Sequence, residues 1–195
     1  MRIDVTLAHR DLHAELATLH ARMQRPGDVL HGLPTLPGPW SDVVLRYREA
    51  DGEFYVYVED RARGVLAGCT VFNRVFELDR QAGRYLRSPH SRYAQQYQRR
   101  GLATAVYRWA LDAGLCLLSG PRQSPGAYAL WQSLARSHDL TYARICDKAL
   151  RLAVRPEDRA LQDYETRLLL LGSGWTLARF TTLAAAGPTS PRPPH

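Results

Sequence analysis

Gln98-Arg99-Arg100-Gly101-Leu102-Ala103 is the stretch on which the reading of this chain turns. It follows a short extended run and opens a segment in which Leu102, Val106, Trp109, Ala110 and Ala113 recur at helical spacing. A helix start leaves backbone N–H groups without intrahelical partners and carries about half a positive charge, so it is a ready anion site. Gly101 puts no Cβ in the way of an approaching ligand. The flanking Arg99 and Arg100 add charge. The physical reading is a turn that offers a row of N–H donors to a phosphate.

Working outward, Gly114 stops the 101–113 helix. Leu115 to Leu118 then read as a short buried strand ended by Gly120-Pro121. Ser124-Pro125 starts another helix, with serine as cap and proline at the first helical position; Ala127, Leu130, Trp131 and Leu134 form its buried face. Thr141 to Cys146 reads as a strand, and Leu150 to Val154 extends it or pairs back. Pro156-Glu157-Asp158 is a helix start. Thr166 to Leu171 is the end of that helix or a last strand, and periodicity does not decide between them. Trp175 to Leu183 is amphipathic.

Upstream of the turn, Ser91 to Tyr97 is an extended run diluted by Arg92 and Gln95, and residues 77–88 are charged and irregular. Before them lies an antiparallel meander over 42–76: Val43 to Tyr47, Phe54 to Val58 and Val65 to Phe76, with Asp51-Gly52 and Gly64 at the turns. Residues 27–41 hold Pro34, Pro37 and Pro39 and read as a long loop, either a lid or substrate wall or a disordered segment. Residues 9–24 form a helix with Leu12, Leu16, Leu19 and Met23 on one face, stopped by Pro26-Gly27. Residues 1–5 are extended. Two local patterns in that helix are decoys. His9-Arg10-Asp11-Leu12 starts like a kinase catalytic loop, but Leu16 stands where a metal-binding asparagine belongs. His9 and His13 have helix spacing, but Arg10 replaces the glutamate of the zinc-protease pattern.

The 195 residues suffice for one domain with a real core, assigned to 1–185, with a proline-rich disordered tail at 186–195. No apolar run approaches the roughly 20 residues needed to span a bilayer. The N-terminus lacks a signal pattern, which points to the cytoplasm and away from membranes. Cys69, Cys116 and Cys146 are widely spaced amid apolar neighbours and read as buried free thiols, not as a disulfide framework or a metal site. The net charge is +7, carried by arginine apart from the single Lys148. Arginine suits phosphate groups or acidic partners. Its scatter along the chain favours a solvated basic surface over a dedicated nucleic-acid face.

Meander, extended run, Gln-x-x-Gly-x-Ala turn, helix, strand, helix, strand: over about residues 42–146 this order resembles the GNAT superfamily of N-acetyltransferases. Ser119 to Ala127, followed by Leu130-Trp131-Gln132-Ser133-Leu134, is similar to small acetyltransferases carried by phages and prophages. The resemblance implies an α/β (α+β) fold with a mixed, mainly antiparallel central sheet flanked by helices, its central strands splayed. It implies an acyl-CoA-dependent N-acyltransferase that moves an acetyl group from acetyl-CoA (coenzyme A) to a primary amine by direct attack. The acceptor is then a small molecule or a protein amine.

On that resemblance the amides of Arg99, Arg100, Gly101, Leu102, Ala103 and Thr104, after Gln98, hold the pyrophosphate. The strand around Tyr93, Ala94 and Gln95 lies along the pantetheine arm and splays from the strand at 115–118, and the gap takes the thioester. The family's tyrosine acid has Trp131 at its matching position, so Tyr128, one turn earlier, is the substitute candidate. Ser119, at the mouth of the splay, can position a water or the thiol. No carboxylate stands on 91–97 as a base; Glu77, Asp79 and His90 are near in sequence, and His90 has the best intrinsic pKa. The alternatives are a phage-type member of the same fold that modifies or binds nucleic acid, and a coenzyme A-binding relic that no longer turns over. Monomer and homodimer both stay open, since Thr166 to Leu183 can cover the core or pair with a second copy.

Overall fold

The computed structural model describes residues 2–3, 9–78, 83–153 and 166–185. The expected helix start at Pro156, the tail at 186–195 and Asp79 lie outside them. In chain order the elements are β1 (Arg2–Ile3), α1 (His9–Met23), β2 (Thr35–Leu36), β3 (Val43–Ala50), β4 (Glu53–Asp60), β5 (Val65–Arg74), β6 (Leu86–Tyr93), a 3-10 turn (Gln95–Tyr97), α2 (Leu102–Asp112), β7 (Cys116–Leu118), β8 (Arg122–Gln123), α3 (Pro125–Leu134), β9 (Leu140–Cys146), β10 (Ala149–Ala153), β11 (Arg167–Leu170) and α4 (Leu177–Ala185). The fold is mixed α/β with a mainly antiparallel sheet. No described helix is long and apolar enough to cross a membrane.

The chain divides into two compact units, one built from Met1–Asp4, Arg74–Ser88 and Ala110–His195, the other from Val5–Asn73 and Pro89–Trp109. The second, the meander unit, carries the expected antiparallel strands in the order β6-β5-β4-β3-β2. The β3–β4 hairpin closes through Asp51 and Gly52 at φ 54° and 74°, the positive pair that a two-residue hairpin turn requires. The 27–41 loop contributes the two-residue β2, paired with β3. On one face of the sheet Phe72 packs against Tyr107 and Trp109 of α2 at 5.9 and 6.3 Å, and Tyr47 meets Trp109 at 5.5 Å. Gly68 is required by a close approach: a Cβ there would stand 2.4 Å from the Tyr93 ring and 2.5 Å from the Arg92 carbonyl.

In the other unit the order is β10-β9-β11-β7, followed by the first residues of β6. β11 resolves the ambiguity at 166–171 in favour of a strand. It lies between β7 and β9, antiparallel to both, and Leu168 to Leu170 are buried on both faces. That two-sided burial removes the alternation by which a strand is recognised. β10 pairs back on β9 through Asp147 and Lys148, both at positive φ. The core gathers Leu86, Cys116, Leu118, Ala143, Leu150, Leu169, Leu171 and Phe180. Ser124 caps α3 as expected, its hydroxyl accepting from the Ala127 N–H at 3.1 Å with Pro125 behind it.

One boundary differs from expectation. The strand placed at Ser91 to Tyr97 runs instead over Leu86–Tyr93, and Gln95–Tyr97 close into a 3-10 turn. The charged 77–88 segment therefore ends in a strand, and Pro89 lies inside it. Leu86 and Arg87 pair in parallel with Cys116 and Leu117, and no further β6–β7 pair follows among the described residues. The Cys116 N–H reaches the Tyr85 carbonyl at 3.0 Å. Alternation puts Pro89 on that same edge, where it has no N–H to offer, so the ladder stops there. Leu118 pairs with β11 instead.

Candidate functional site

The turn at 98–104 lies wholly in the meander unit and is held from beneath. The Gln98 side-chain amide donates to the Tyr93 carbonyl at 3.0 Å, and the Ala94 N–H donates to the Ala67 carbonyl of β5 at 2.9 Å. The Tyr97 hydroxyl donates to Asp60 at 2.7 Å, and this bond holds the Asp60 carboxyl below the usual carboxylate range. The Arg100 guanidinium sits 5.5 Å from the Tyr97 ring. A buried tyrosine, a carboxylate and a side-chain amide thus anchor a segment whose own residues Gln98 to Gly101 are exposed.

The backbone of this segment alternates in sign. Gln98 has φ −70°, Arg99 +59° and Gly101 +77°, and Arg100 between them is not positive. Gln98 itself is extended, with ψ 156°, and the left-handed turns fall at Arg99 and Gly101. A left-handed arginine is uncommon and carries strain of about 1–2 kcal/mol. Nothing in the sequence marks Arg99 for it. Gly101 is needed for its φ, since an added Cβ would meet no atom within 4 Å. The Ala105 N–H makes a helical bond to the Gly101 carbonyl at 3.0 Å. The N–H groups of Leu102, Ala103 and Thr104 therefore precede the ladder of α2. The first turn of α2 holds no acidic residue to satisfy them or to neutralise the helix end. Arg99, Arg100 and Gly101 are exposed, Leu102 is buried, and Ala103 and Thr104 are half-buried.

The other expected site residues fall as follows. Tyr93 and Ala94 are buried and Gln95 is exposed. The Tyr93 hydroxyl joins a chain that sequence reading missed, bonding Thr70 at 3.2 Å, which bonds Ser91 at 2.8 Å, which donates to Tyr107 at 3.4 Å. Burial pushes the Tyr107 hydroxyl up to about 12, and Tyr93 upward as well, so both hold their protons. His90 is exposed on β6; desolvation first, then the Arg92 charge, lower its pKa and keep the ring neutral at neutral pH. Ser119 and Tyr128 belong to the other unit. The Ser119 hydroxyl donates to the Gly120 carbonyl at 3.1 Å and accepts from the Leu168 N–H at 2.9 Å. Tyr128 is half-buried in the first turns of α3, and Trp131 is buried. Glu77 is paired with Arg167. Cys69 and Cys116 are buried free thiols, each pushed up to about 11 by burial, and Cys146 is free and half-buried.

A second feature invisible in sequence is the pairing of Arg92 with Glu15 of α1, two residues 77 apart in the chain. It puts a carboxylate beside β6, a strand that carries none of its own.

No family model and no curated protein matches the sequence. Among solved structures, a GNAT superfamily phosphinothricin acetyltransferase from Sinorhizobium meliloti in complex with AcCoA is similar over 63% of each chain, at 16% identity and a TM-score of 0.40. A ribosomal-protein-S5-alanine acetyltransferase from Vibrio fischeri is similar over 64% of each chain, at 14% identity and a TM-score of 0.37. The chain spans a little under two thirds of the length of either structure.

Proposed function

We propose that this chain is an acyl-CoA-dependent N-acyltransferase, using acetyl-CoA as acyl donor and a primary amine as acceptor. The observation that carries the reading is the start of α2: the N–H groups of Leu102, Ala103 and Thr104 precede the helical ladder, no acidic residue stands in the first turn, and the left-handed Arg99 and Gly101 lead into it. A diphosphate suits such a helix start, which offers several N–H donors and a positive field. The amides of Arg99 to Thr104 would hold the pyrophosphate, Arg99 and Arg100 would add charge, and the backbone from Tyr93 to Gln95 would lie along the pantetheine arm. Acetyl-CoA supplies an activated acyl group. The chain's own contribution is to hold the donor by its diphosphate and to accept the proton that the amine loses. His90, exposed and neutral, is the residue assigned to that proton. Ser119, whose hydroxyl is engaged by Gly120 and Leu168, and Tyr128 are given no role.

Isothermal titration of the full chain with acetyl-CoA tests this directly. A saturable heat in the micromolar range is expected. No heat at high micromolar acetyl-CoA overturns the reading, and DNA binding with a steep salt dependence in its place would favour the nucleic-acid alternative.

A further inference from the structure

Within the meander unit a second loop is bonded to the turn at 98–104. It is the connection from Arg61 to Gly64 between β4 and β5. Asp60, the last residue of β4, holds that connection by its backbone: the Arg63 N–H donates to Asp60 Oδ1 at 3.0 Å. The other oxygen of the same carboxylate accepts from the Tyr97 hydroxyl at 2.7 Å. Asp60 and Tyr97 are 6% and 2% exposed, so a buried bond ties the connection to the residue just before Gln98.

Two guanidiniums from different segments meet at that tyrosine. Arg63 lies 5.9 Å from the Tyr97 ring and Arg100 lies 5.5 Å from it. The Asp60 oxygen already has its short bond from Tyr97. Arg63 Nη1 stands at the limit of hydrogen-bond reach, 3.5 Å from Asp60 Oδ2 and 3.5 Å from the Tyr97 hydroxyl. The Arg63 side chain is 63% exposed, and a pair so exposed and so long contributes little. Arg63 therefore has an anchored backbone and a loosely held cation. The exposed residues at 61–65 and 98–101 include Arg61, Arg63, Arg99 and Arg100 and no acidic residue.

We propose that Arg63 holds a phosphate monoester, with Arg100 shared between that group and the diphosphate, and that the monoester is the ribose 3′-phosphate of coenzyme A. This rests on the acyltransferase reading above. A monoester carries about −1.5 to −2 charges and three strong acceptor oxygens, and the planar fork of a guanidinium matches two of them. In coenzyme A the 3′-phosphate and the diphosphate stand on one ribose. The cation that holds the first must therefore lie beside the site of the second without belonging to the same helix start. Arg63 meets both conditions, because Tyr97 joins it to the turn and β4–β5 supplies it. Its consequence is a donor preference: the chain selects the 3′-phosphorylated coenzyme.

The test is calorimetric titration of the full chain with acetyl-CoA and with acetyl-3′-dephospho-CoA, for the parent, Arg63→Gln and Arg63→Lys, at low and high salt. The parent is expected to bind acetyl-CoA about threefold to tenfold tighter than the dephospho form, less so in high salt. Arg63→Gln is expected to lose that preference while holding the dephospho form as the parent does, and Arg63→Lys to keep part of it. The readout is a ratio within each variant, so partial unfolding does not imitate it. Equal affinity of the parent for the two donors, or an equal loss of both in Arg63→Gln, overturns the proposal. Binding of both donors alike removes the subsite alone, and no binding of either removes the acyltransferase reading. A single-stranded oligonucleotide that binds the parent and not Arg63→Gln, with the two donors bound alike, assigns Arg63 to nucleic acid and also overturns it.

Discussion

The turn at 98–104 and the strand at 167–170 are built in opposite ways. β11 has its backbone paired on both sides, by β7 and by β9, and Leu168 to Leu170 are all but sealed from solvent. Even the strand-end polar group beside it is satisfied, with the Ser119 hydroxyl on the Leu168 N–H. The turn is exposed over Gln98 to Gly101, carries left-handed φ at Arg99 and Gly101, and opens a helix with no acidic residue in its first turn. One region holds the fold by pairing its donors within the chain. The other is held by Tyr97, Asp60 and Gln98, and on the proposed reading its N–H groups serve a ligand. Damage to β11 should therefore be read in stability, and damage to the turn in affinity.

Leu169→Ala should show the largest effect, a loss of about 2–5 kcal/mol in urea denaturation, because a fully buried leucine is truncated in a strand with no room to collapse. Its folded fraction should bind acetyl-CoA as the parent does; a parallel loss of affinity breaks the contrast. Gly172→Ala should cost about 1–3 kcal/mol and lower the melting temperature, since the new Cβ would stand 2.5 Å from the Leu115 carbonyl oxygen. Gly101→Ala inverts the pattern. Strain of about 1–2 kcal/mol at its φ of +77° is the whole structural effect, because the added Cβ meets nothing within 4 Å. Relaxation of the turn should weaken acetyl-CoA about tenfold by calorimetry, the equivalent of roughly 1.4 kcal/mol. An unchanged affinity in Gly101→Ala would contradict the proposed anion site.

Arg100→Ala should be smaller, about 0.5–1 kcal/mol from the lost charge and its contact with Tyr97, and smaller still in high salt. The least effect concerns acid stability. Asp60 has its folded pKa depressed by Tyr97. Its stabilisation is therefore complete above the unfolded value of about 3.9 and is lost as pH falls through the lower folded value. Tyr97→Phe should flatten that acid limb in pH-dependent denaturation, and a limb of unchanged steepness would remove Asp60 as its source.

The meander, α2 and the capped start of α3 were legible because each carries its own local signal: Asp51-Gly52, the stripe from Leu102 to Ala110, Ser124-Pro125. β11 was legible only as a segment, since burial on both faces erases the period. The start of β6 was hidden because Pro89 and the charged residues before it read as irregular. Its pairing with β7 is a tertiary fact that one strand's composition does not contain. Within the site, Gly101 announced the turn, whereas the left-handed Arg99 did not, because arginine has no preference for that conformation. Glu15 was beyond reach for a simpler reason: only the packing of α1 against β6 brings it to Arg92.

The central claim is that the N–H groups from Arg99 to Thr104 hold a diphosphate. Backbone amide NMR of the full chain, titrated with acetyl-CoA, addresses those groups one by one. The account predicts that the amide signals of residues 99–104 move together and saturate with a single dissociation constant. Signals that stay in place at saturating acetyl-CoA, while amides elsewhere move, would contradict it.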